Sequence, residues 1–315
     1  MDKYLVTGGA GFIGSNVVQK LLEKGEFVRV VDNLSTGKRE NIEEFLDDKN
    51  FEFVEGDLTS LAVCQKAVKG MDFVLHEGAV PSVPRSIEDP IRSNNANITA
   101  TLNLLVAARD EKIKKFVYAS SSSVYGDNPE LPKREDFPIR PISPYALTKY
   151  AGERYCQIFW DMYSLPTICL RYFNVFGPKQ DPTSQYSAVI PKFISCFLKN
   201  ENPIIYGTGE QSRDFTFVEN VVGANLSAVK SGKETNGEVF NIACGQETSL
   251  NQLIGFLAEI MGKNIKADYQ KERRGDVLHS RADIKKAEGL LGYSSQVNIK
   301  DGLIKTVEWI KQNGK

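Results

Sequence analysis

Histidine is nearly missing from this chain, with only His76 and His279 among 315 residues. A serine–histidine hydrolase or a zinc centre needs histidine inside a specific cluster, so both are disfavoured and neither histidine is assigned a role. Cysteine is sparse as well. The five thiols (Cys64, Cys156, Cys169, Cys196, Cys244) are odd in number, widely spaced and free of any CxxC pair. They fit buried thiols in a reducing compartment better than a disulfide framework. No run of about 18 apolar residues occurs, and the first strand-like segment begins at Lys3 without a basic leader and a cleavable apolar stretch, so a cytoplasmic protein is expected. An excess of one charge is lacking too: 39 basic residues face 40 acidic ones, for a net charge of −1. Nothing therefore advertises a nucleic-acid or membrane surface, and any anionic ligand must be gripped locally.

What is present is a core-forming composition, 41% hydrophobic and 25% charged, with no internal repeat or low-complexity tract. The apolar runs KYLVT, FVRVVD, FEFVEG, MDFVLH, KKFVYAS and PTICLRYF alternate with amphipathic stretches near 11–24, 38–46, 59–69, 92–110 and 144–162. Continuous apolar strands separated by helices predict a parallel sheet covered on both faces. The expected fold class is α/β: a doubly wound parallel Rossmann sheet with a smaller, interleaved C-terminal substrate-binding lobe. Beyond residue 172 the pattern loosens into a Gly/Pro-bearing stretch, with helices expected near 188–199, 249–261 and 300–312. The expected division is 1–172 with 216–243 as the dinucleotide-binding domain, and 173–215 with 244–315 as the second lobe.

Between the first strand and the first helix lies TGGAGFIG, residues 7–14. Gly8 permits a tight turn, Gly11 lets the backbone approach a pyrophosphate, and Gly14 permits close helix packing, while the helix start offers unpaired N–H donors. A merely tight turn is the plain alternative, but placement between strand and helix favours a dinucleotide. Asp32 closes the second strand 18 residues beyond Gly14. Its carboxylate can accept from both adenosine ribose hydroxyls and would repel a 2′-phosphate, which favours NAD over NADP, although it could instead cap the following turn. Lys38 and Arg39 run against that preference. Asp57 can reach an adenine amino group, or start a helix with Thr59.

SPYALTKY, residues 143–150, carries the chemistry. Ser143 is a good N-cap and Pro144 a natural first helical residue, so Tyr145 and Lys149 share a helix face. A free tyrosine, with a pKa of ~10, is a poor base. An ammonium one turn away, together with oxidised nicotinamide, is expected to pull that pKa toward neutrality. YxxxK also occurs by accident on amphipathic helices. Here it follows ASSSSVYG (119–126), whose hydroxyls emerge at the carboxyl end of the fifth strand, where open α/β folds bind ligands. A serine-rich turn without a catalytic role is the alternative there.

TGGAGFIG, Asp32, GDL, SSSSVYG and YALTK together resemble the extended short-chain dehydrogenase/reductase superfamily. RYFNVFGP, SAVIPKF, YGTGEQSRDF and RRGDVLHS resemble its UDP-hexose 4-epimerase branch, with UDP-N-acetylglucosamine 4-epimerases the nearest type. The resemblance implies a tightly held NAD, a UDP-sugar substrate and a homodimer built on helices near 92–110 and 144–162. It implies Tyr145 as base, Lys149 as its helper and Ser121 as the catalytic serine, with Ser122 and Ser123 able to share that role. Phe12, Ile13, Asn33, Leu58 and Tyr172 complete the implied cofactor contacts. Arg213 and Arg273 resemble pyrophosphate-binding arginines, Asn174 a diphosphate ligand, and Val189, Lys192 and Tyr206 a uridine cradle.

The implied chemistry is removal of the sugar 4-hydroxyl proton by Tyr145 while hydride leaves C4, then return of the hydride to the other face of the 4-keto sugar. Four residues after Asp276, Ser280 stands where a small side chain leaves room for an acetamido group, which favours UDP-GlcNAc/UDP-GalNAc over glucose/galactose. Arg85, in SVPRS, also fits a uronic acid. A dehydratase or decarboxylase would place an acid just before VYG, where Ser122 and Ser123 stand instead. Glu77 departs from the resemblance, since relatives usually carry an uncharged residue there. No metal site is expected.

Overall fold

Residues 1–181, 188–272 and 278–313 are described by the computed structural model. Among them the first half runs β1 (Lys3–Thr7), α1 (Phe12–Glu23), β2 (Phe27–Asp32), β3 (Phe51–Glu55), α2 (Leu61–Val68), β4 (Phe73–His76), α3 (Val83–Glu88), α4 (Pro90–Asn94), α5 (Ala100–Glu111), β5 (Lys115–Ser121), α6 (Pro144–Tyr163) and β6 (Thr167–Tyr172). The second half adds β7 (Val175–Phe176), α7 (Val189–Lys199), β8 (Ile204–Tyr206), β9 (Ser212–Arg213), β10 (Thr216–Phe217), α8 (Val218–Lys230) and β11 (Glu238–Ile242). It ends with β12 (Thr248–Ser249), α9 (Leu250–Met261), β13 (Asp268–Gln270), α10 (Lys285–Leu291) and α11 (Ile299–Asn313).

The central sheet is wholly parallel, in the order β11-β6-β5-β4-β1-β2-β3. Alternating side chains feed two cores, as the pleat requires. Val6, Val30, Leu75, Leu170 and Phe240 pack with α1 and α8, whereas Leu5, Val74, Phe116, Tyr118 and Cys169 pack with α2, α5 and α6. This is the doubly wound α/β arrangement. Each fully buried aliphatic or aromatic side chain contributes roughly 1.5–3 kcal/mol of transfer free energy. A third core joins Ile190, Phe193 and Phe197 of α7 to Leu253, Leu257, Leu303 and Val307 of the C-terminal helices. All five cysteines are free, three of them buried.

The structure departs from the sequence-based expectations in three places. The seventh strand, β11, was not among the apolar runs because Glu238 and Asn241 interrupt its hydrophobicity. Residues 38–46 form two short 3-10 turns, not a helix, because Lys38 N–H and Asn41 Nδ2 both bond the Ala10 carbonyl and tie the segment to the glycine turn. The helix expected over 92–110 is broken by a π-helical turn, Asn95–Thr99, where Asn97 bonds both Val80 and Thr148. SVPRS, for which the sequence carried no secondary-structure expectation, is helical: Ser82 caps α3 by accepting from the Arg85 N–H. Among the described residues no helix is long and apolar enough to cross a membrane.

Candidate active site

The strand order reverses direction around β1, which lies between β2 and β4, and open sheets of this kind bind ligands outside the carboxyl ends at such a point. A cavity of about 940 Å³ occupies that position. At one end, Gly8 adopts φ +66°, and a Cβ there would lie 2.7 Å from Gly78 Cα. At Gly14 a Cβ would lie 2.2 Å from the Gly8 carbonyl oxygen, so the turn folds on itself only because both are glycine. Gly11 is the N-cap of α1 and brings no side-chain cap, which leaves the first-turn N–H groups pointing into the cavity mouth without a side-chain acceptor.

Asp32 is buried, and its Oδ2 accepts the Ala10 N–H at 3.0 Å while Oδ1 accepts the Leu34 N–H at 2.8 Å. Burial nonetheless pushes its carboxyl above the usual range. One lone pair remains on each oxygen for a hydroxyl donor. Asp57 Oδ1 accepts from Thr59 N–H and Oγ1, the turn-starting arrangement, and Oδ2 accepts from Asn33 at 3.0 Å. Lys38 is paired with Asp181 at 3.1 Å, and the Arg39 guanidinium lies 5.6 Å from the centre of the Phe53 ring, so both basic side chains are engaged.

At the other end stand Tyr145 and Lys149 on α6, where Ser143 accepts the Ala146 N–H as N-cap and Ser86 Oγ accepts the Tyr145 N–H. Ser121 acts on the Tyr145 phenol, drawing its pKa down. Of the three candidate serines it alone does so; its Oγ also takes the Ser123 N–H, and Ser122 and Ser123 lie in the following 3-10 turn. The expected lowering of the phenol pKa is not found: burial pushes Tyr145 up to about 12, with only Ser121 opposing. Lys149 Nζ donates to the Ala119 carbonyl at 2.7 Å, and burial draws Lys149 itself down to about 8.

Gly8, Gly11, Phe12, Ile13, Gly14, Asp32, Asn33, Asp57, Leu58, Arg85, Tyr145, Lys149 and Tyr172 all line this one cavity. The remaining described substrate candidates are not among its lining residues. Asn174 follows β6 in the left-handed region at φ +34°, a conformation asparagine tolerates. Val189 and Lys192 belong to α7, Tyr206 ends β8, and Arg213 on β9 donates from Nη1 to the carbonyls of Ser212 and Leu278. Ser280 N–H bonds the Ser212 carbonyl, which brings it alongside Arg213. Arg273 and Asp276 lie outside the described residues. No group of metal-ligating side chains occurs among the described residues.

The profile of the NAD dependent epimerase/dehydratase family matches residues 4–243. The chain belongs to that family. A putative UDP-glucose 4-epimerase of Methanocaldococcus jannaschii is 41% identical, over 99% of both chains. A solved UDP-N-acetylglucosamine 4-epimerase from Methanobrevibacter ruminantium, in complex with UDP-N-acetylmuramic acid, is similar at TM-score 0.94 and 41% identity, covering 99% of this chain and 98% of that one. A Bacillus cereus UDP-glucuronic acid 4-epimerase, in complex with UDP-glucuronic acid and NAD, follows at TM-score 0.91 and 34% identity, covering 98% and 99%. NAD is the cofactor of this epimerase/dehydratase family member, and the self-packed glycines, the uncapped α1 and the half-satisfied Asp32 fit it.

Two features of this family member escaped the sequence. Glu77 lines the cavity with its Oε1 accepting from Tyr172 OH at 2.8 Å, and Asn225 donates to Tyr172 OH at 2.8 Å. Burial pushes the Glu77 carboxyl up to about 7. Behind Lys149, Glu153 receives Arg171 through two bonds of 2.8 Å and Ser120 Oγ at 2.5 Å, a buried network that continues to Tyr125 and Asn241. The partners are far apart in sequence and carry no spacing signal.

Proposed function

We propose that this protein interconverts UDP-GlcNAc and UDP-GalNAc as a UDP-hexose 4-epimerase. One observation carries the reading: Tyr145 and Lys149 line the same cavity whose far end is the glycine turn. In this reading Tyr145 takes the proton of the sugar 4-hydroxyl and later returns it, and Ser121 donates to the same oxygen. Bound in the cavity, NAD would supply a reversible acceptor for the C4 hydride, and its positive charge would add to that of Lys149, which lines the same cavity as the phenol. In this reading residues 173–215 and 244–315 supply the lobe that grips the nucleotide, with Arg213 near the diphosphate, Asn174 beside it, and Val189, Lys192 and Tyr206 around uridine; Arg273 and Asp276 are candidates on sequence alone. A firmly held nucleotide lets a loosely held 4-keto sugar turn over without escaping.

The choice of N-acetylated hexoses is supported by the small Ser280 beside Arg213 and by the similarity to an enzyme that acts on UDP-GlcNAc. A second reading, UDP-glucuronate, is favoured by Arg85, which lines the cavity. We further propose a homodimer. Leu147, Ile158 and Met162 are exposed on one face of α6, and Ile91 on α4 is 73% exposed, an apolar stripe that suits a second copy.

The test is to incubate the purified protein separately with UDP-GlcNAc, UDP-Glc and UDP-GlcA and to look by NMR for the C4 epimer. Turnover of UDP-GlcNAc is expected. Tyr145→Phe should lose at least about 10²-fold in kcat, the usual size of general base catalysis; near-normal turnover would refute the assignment.

A further inference from the structure

We infer that Glu77 is a positioning residue for the Tyr145–Lys149 pair, its carboxylate holding the Lys149 ammonium charged from across the carboxyl edge of β5. The inference rests on the catalytic reading of Tyr145 and Lys149 given above.

The sheet register brings the two groups to one level. His76 pairs with Tyr118, so Glu77 follows β4 beside Ala119, the residue whose carbonyl accepts Lys149 Nζ. Glu77 shares the parity of Leu75 and therefore reaches the α8 side, where Tyr172 OH donates to it; Lys149 comes from the α6 side. The carboxyl is thus locked away from direct contact and acts through the protein and the shared cavity.

The surrounding charges leave this task to Glu77. Two carboxylates act on Lys149, Glu77 and Glu153, but Glu153 is bound by both arms of Arg171. Among the described residues Glu77 forms an ion pair with no cation. Its other neighbours do not compete. His76 on β4 is held neutral between Thr7 and Thr101, Tyr118 on β5 and Tyr172 on β6 are buried phenols pushed well above their ordinary pKa, Tyr145 is pushed up to about 12, and Asn225 on α8 carries no charge. On α1 Lys20 and Glu23 pair with each other at the surface, and Glu219 of α8 pairs with Lys305.

Burial moves the two groups toward one another, Glu77 up to about 7 and Lys149 down to about 8. Each stabilises the charged form of the other, so they titrate as a pair. Lys149 is charged with an ionised partner only in a narrow interval of pH, and a bell-shaped rate profile follows.

The experiment compares kcat and KM against pH for the wild type and Glu77→Gln, which keeps the shape and the acceptor for Tyr172. It also records ultraviolet tyrosinate absorption against pH, with Tyr145→Phe subtracted from each background. Glu77→Gln is expected to lose the acid limb, to shift the alkaline limb of kcat down by about one pH unit, the size an adjacent opposite charge has, and to move Tyr145 ionisation to higher pH, with KM little changed. Tyr172→Phe, which keeps the carboxyl but removes its donor, should move the acid limb to higher pH and serves if Glu77→Gln does not fold. A Glu77→Gln profile superimposable on the wild type, or scaled down equally at every pH, would overturn the inference. If Tyr145→Phe is inactive and Glu77→Gln is unshifted, only the role of Glu77 fails; if Tyr145→Phe turns over normally, the catalytic reading fails first.

Discussion

Gly14 shows how little freedom the nucleotide end of the site has. A single added methyl would meet the Gly8 carbonyl oxygen at 2.2 Å and Gly9 Cα at 2.9 Å, and both are backbone atoms that cannot rotate aside. Gly14→Ala should therefore open the turn and lower NAD affinity by at least tenfold, ~1.4 kcal/mol, with the fold retained; equilibrium titration of NAD into the variant measures it, and unchanged binding would show the turn to be irrelevant to the cofactor. Residues of this kind were legible because their chemistry is fixed by spacing within one turn or helix, as with Gly8, Gly11, Asp32, Tyr145 and Lys149. Ser121 could not be separated from Ser122 and Ser123 because three adjacent hydroxyls read alike, and only its pull on the Tyr145 pKa distinguishes it. Glu77 was visible as an oddity but not as a partner of Tyr172, 95 positions away.

At the level of elements, α6 does two jobs from one face. Tyr145 and Lys149 look into the cavity, and one turn later Glu153 anchors the helix to β6 through Arg171 and to β5 through Ser120. Both members of that ion pair are almost wholly buried, with side chains 4% and 1% exposed. Removing one partner leaves the other charge stranded, whereas removing both leaves an apolar gap. Glu153→Met and Arg171→Met should each cost about 3–5 kcal/mol of stability, and the double variant Glu153→Met/Arg171→Met clearly less than the two single losses combined. Urea unfolding at neutral pH measures this, and simple additivity would show that the pair is not coupled. Periodicity found α6, since cap, proline and apolar spacing agree. It missed the break between α4 and α5, because Asn97 bonds Val80 and Thr148, tertiary partners that a helical pattern does not record. It likewise passed over β11, a short strand covered by α10 and paired with β6, in which Glu238 and Asn241 break the apolar run.

Across the whole molecule, the same buried groups make stability depend on pH in opposing directions. Glu77, raised from 4.5 to about 7, and Asp214, raised from 3.8 to about 6, hold protons in the folded state that the unfolded chain has released. Their contribution is complete below the unfolded values and is lost as pH rises through about 6 and 7. His76, drawn down to about 3 by burial, works the other way, because the unfolded imidazole binds a proton below its ordinary 6.5 and the folded one does not. The net curve therefore mixes both trends, and a difference between two proteins isolates one of them. Glu77→Gln removes a single titrating carboxyl while keeping its shape, so the stability of the variant relative to the wild type should rise steadily between pH 4.5 and about 7. The shift sets a ceiling of ~3 kcal/mol on that rise. Urea midpoints measured for both proteins at intervals of pH give the difference directly. A difference independent of pH would mean that Glu77 titrates as it does in the unfolded chain, and that its carboxyl is not desolvated by the cavity wall.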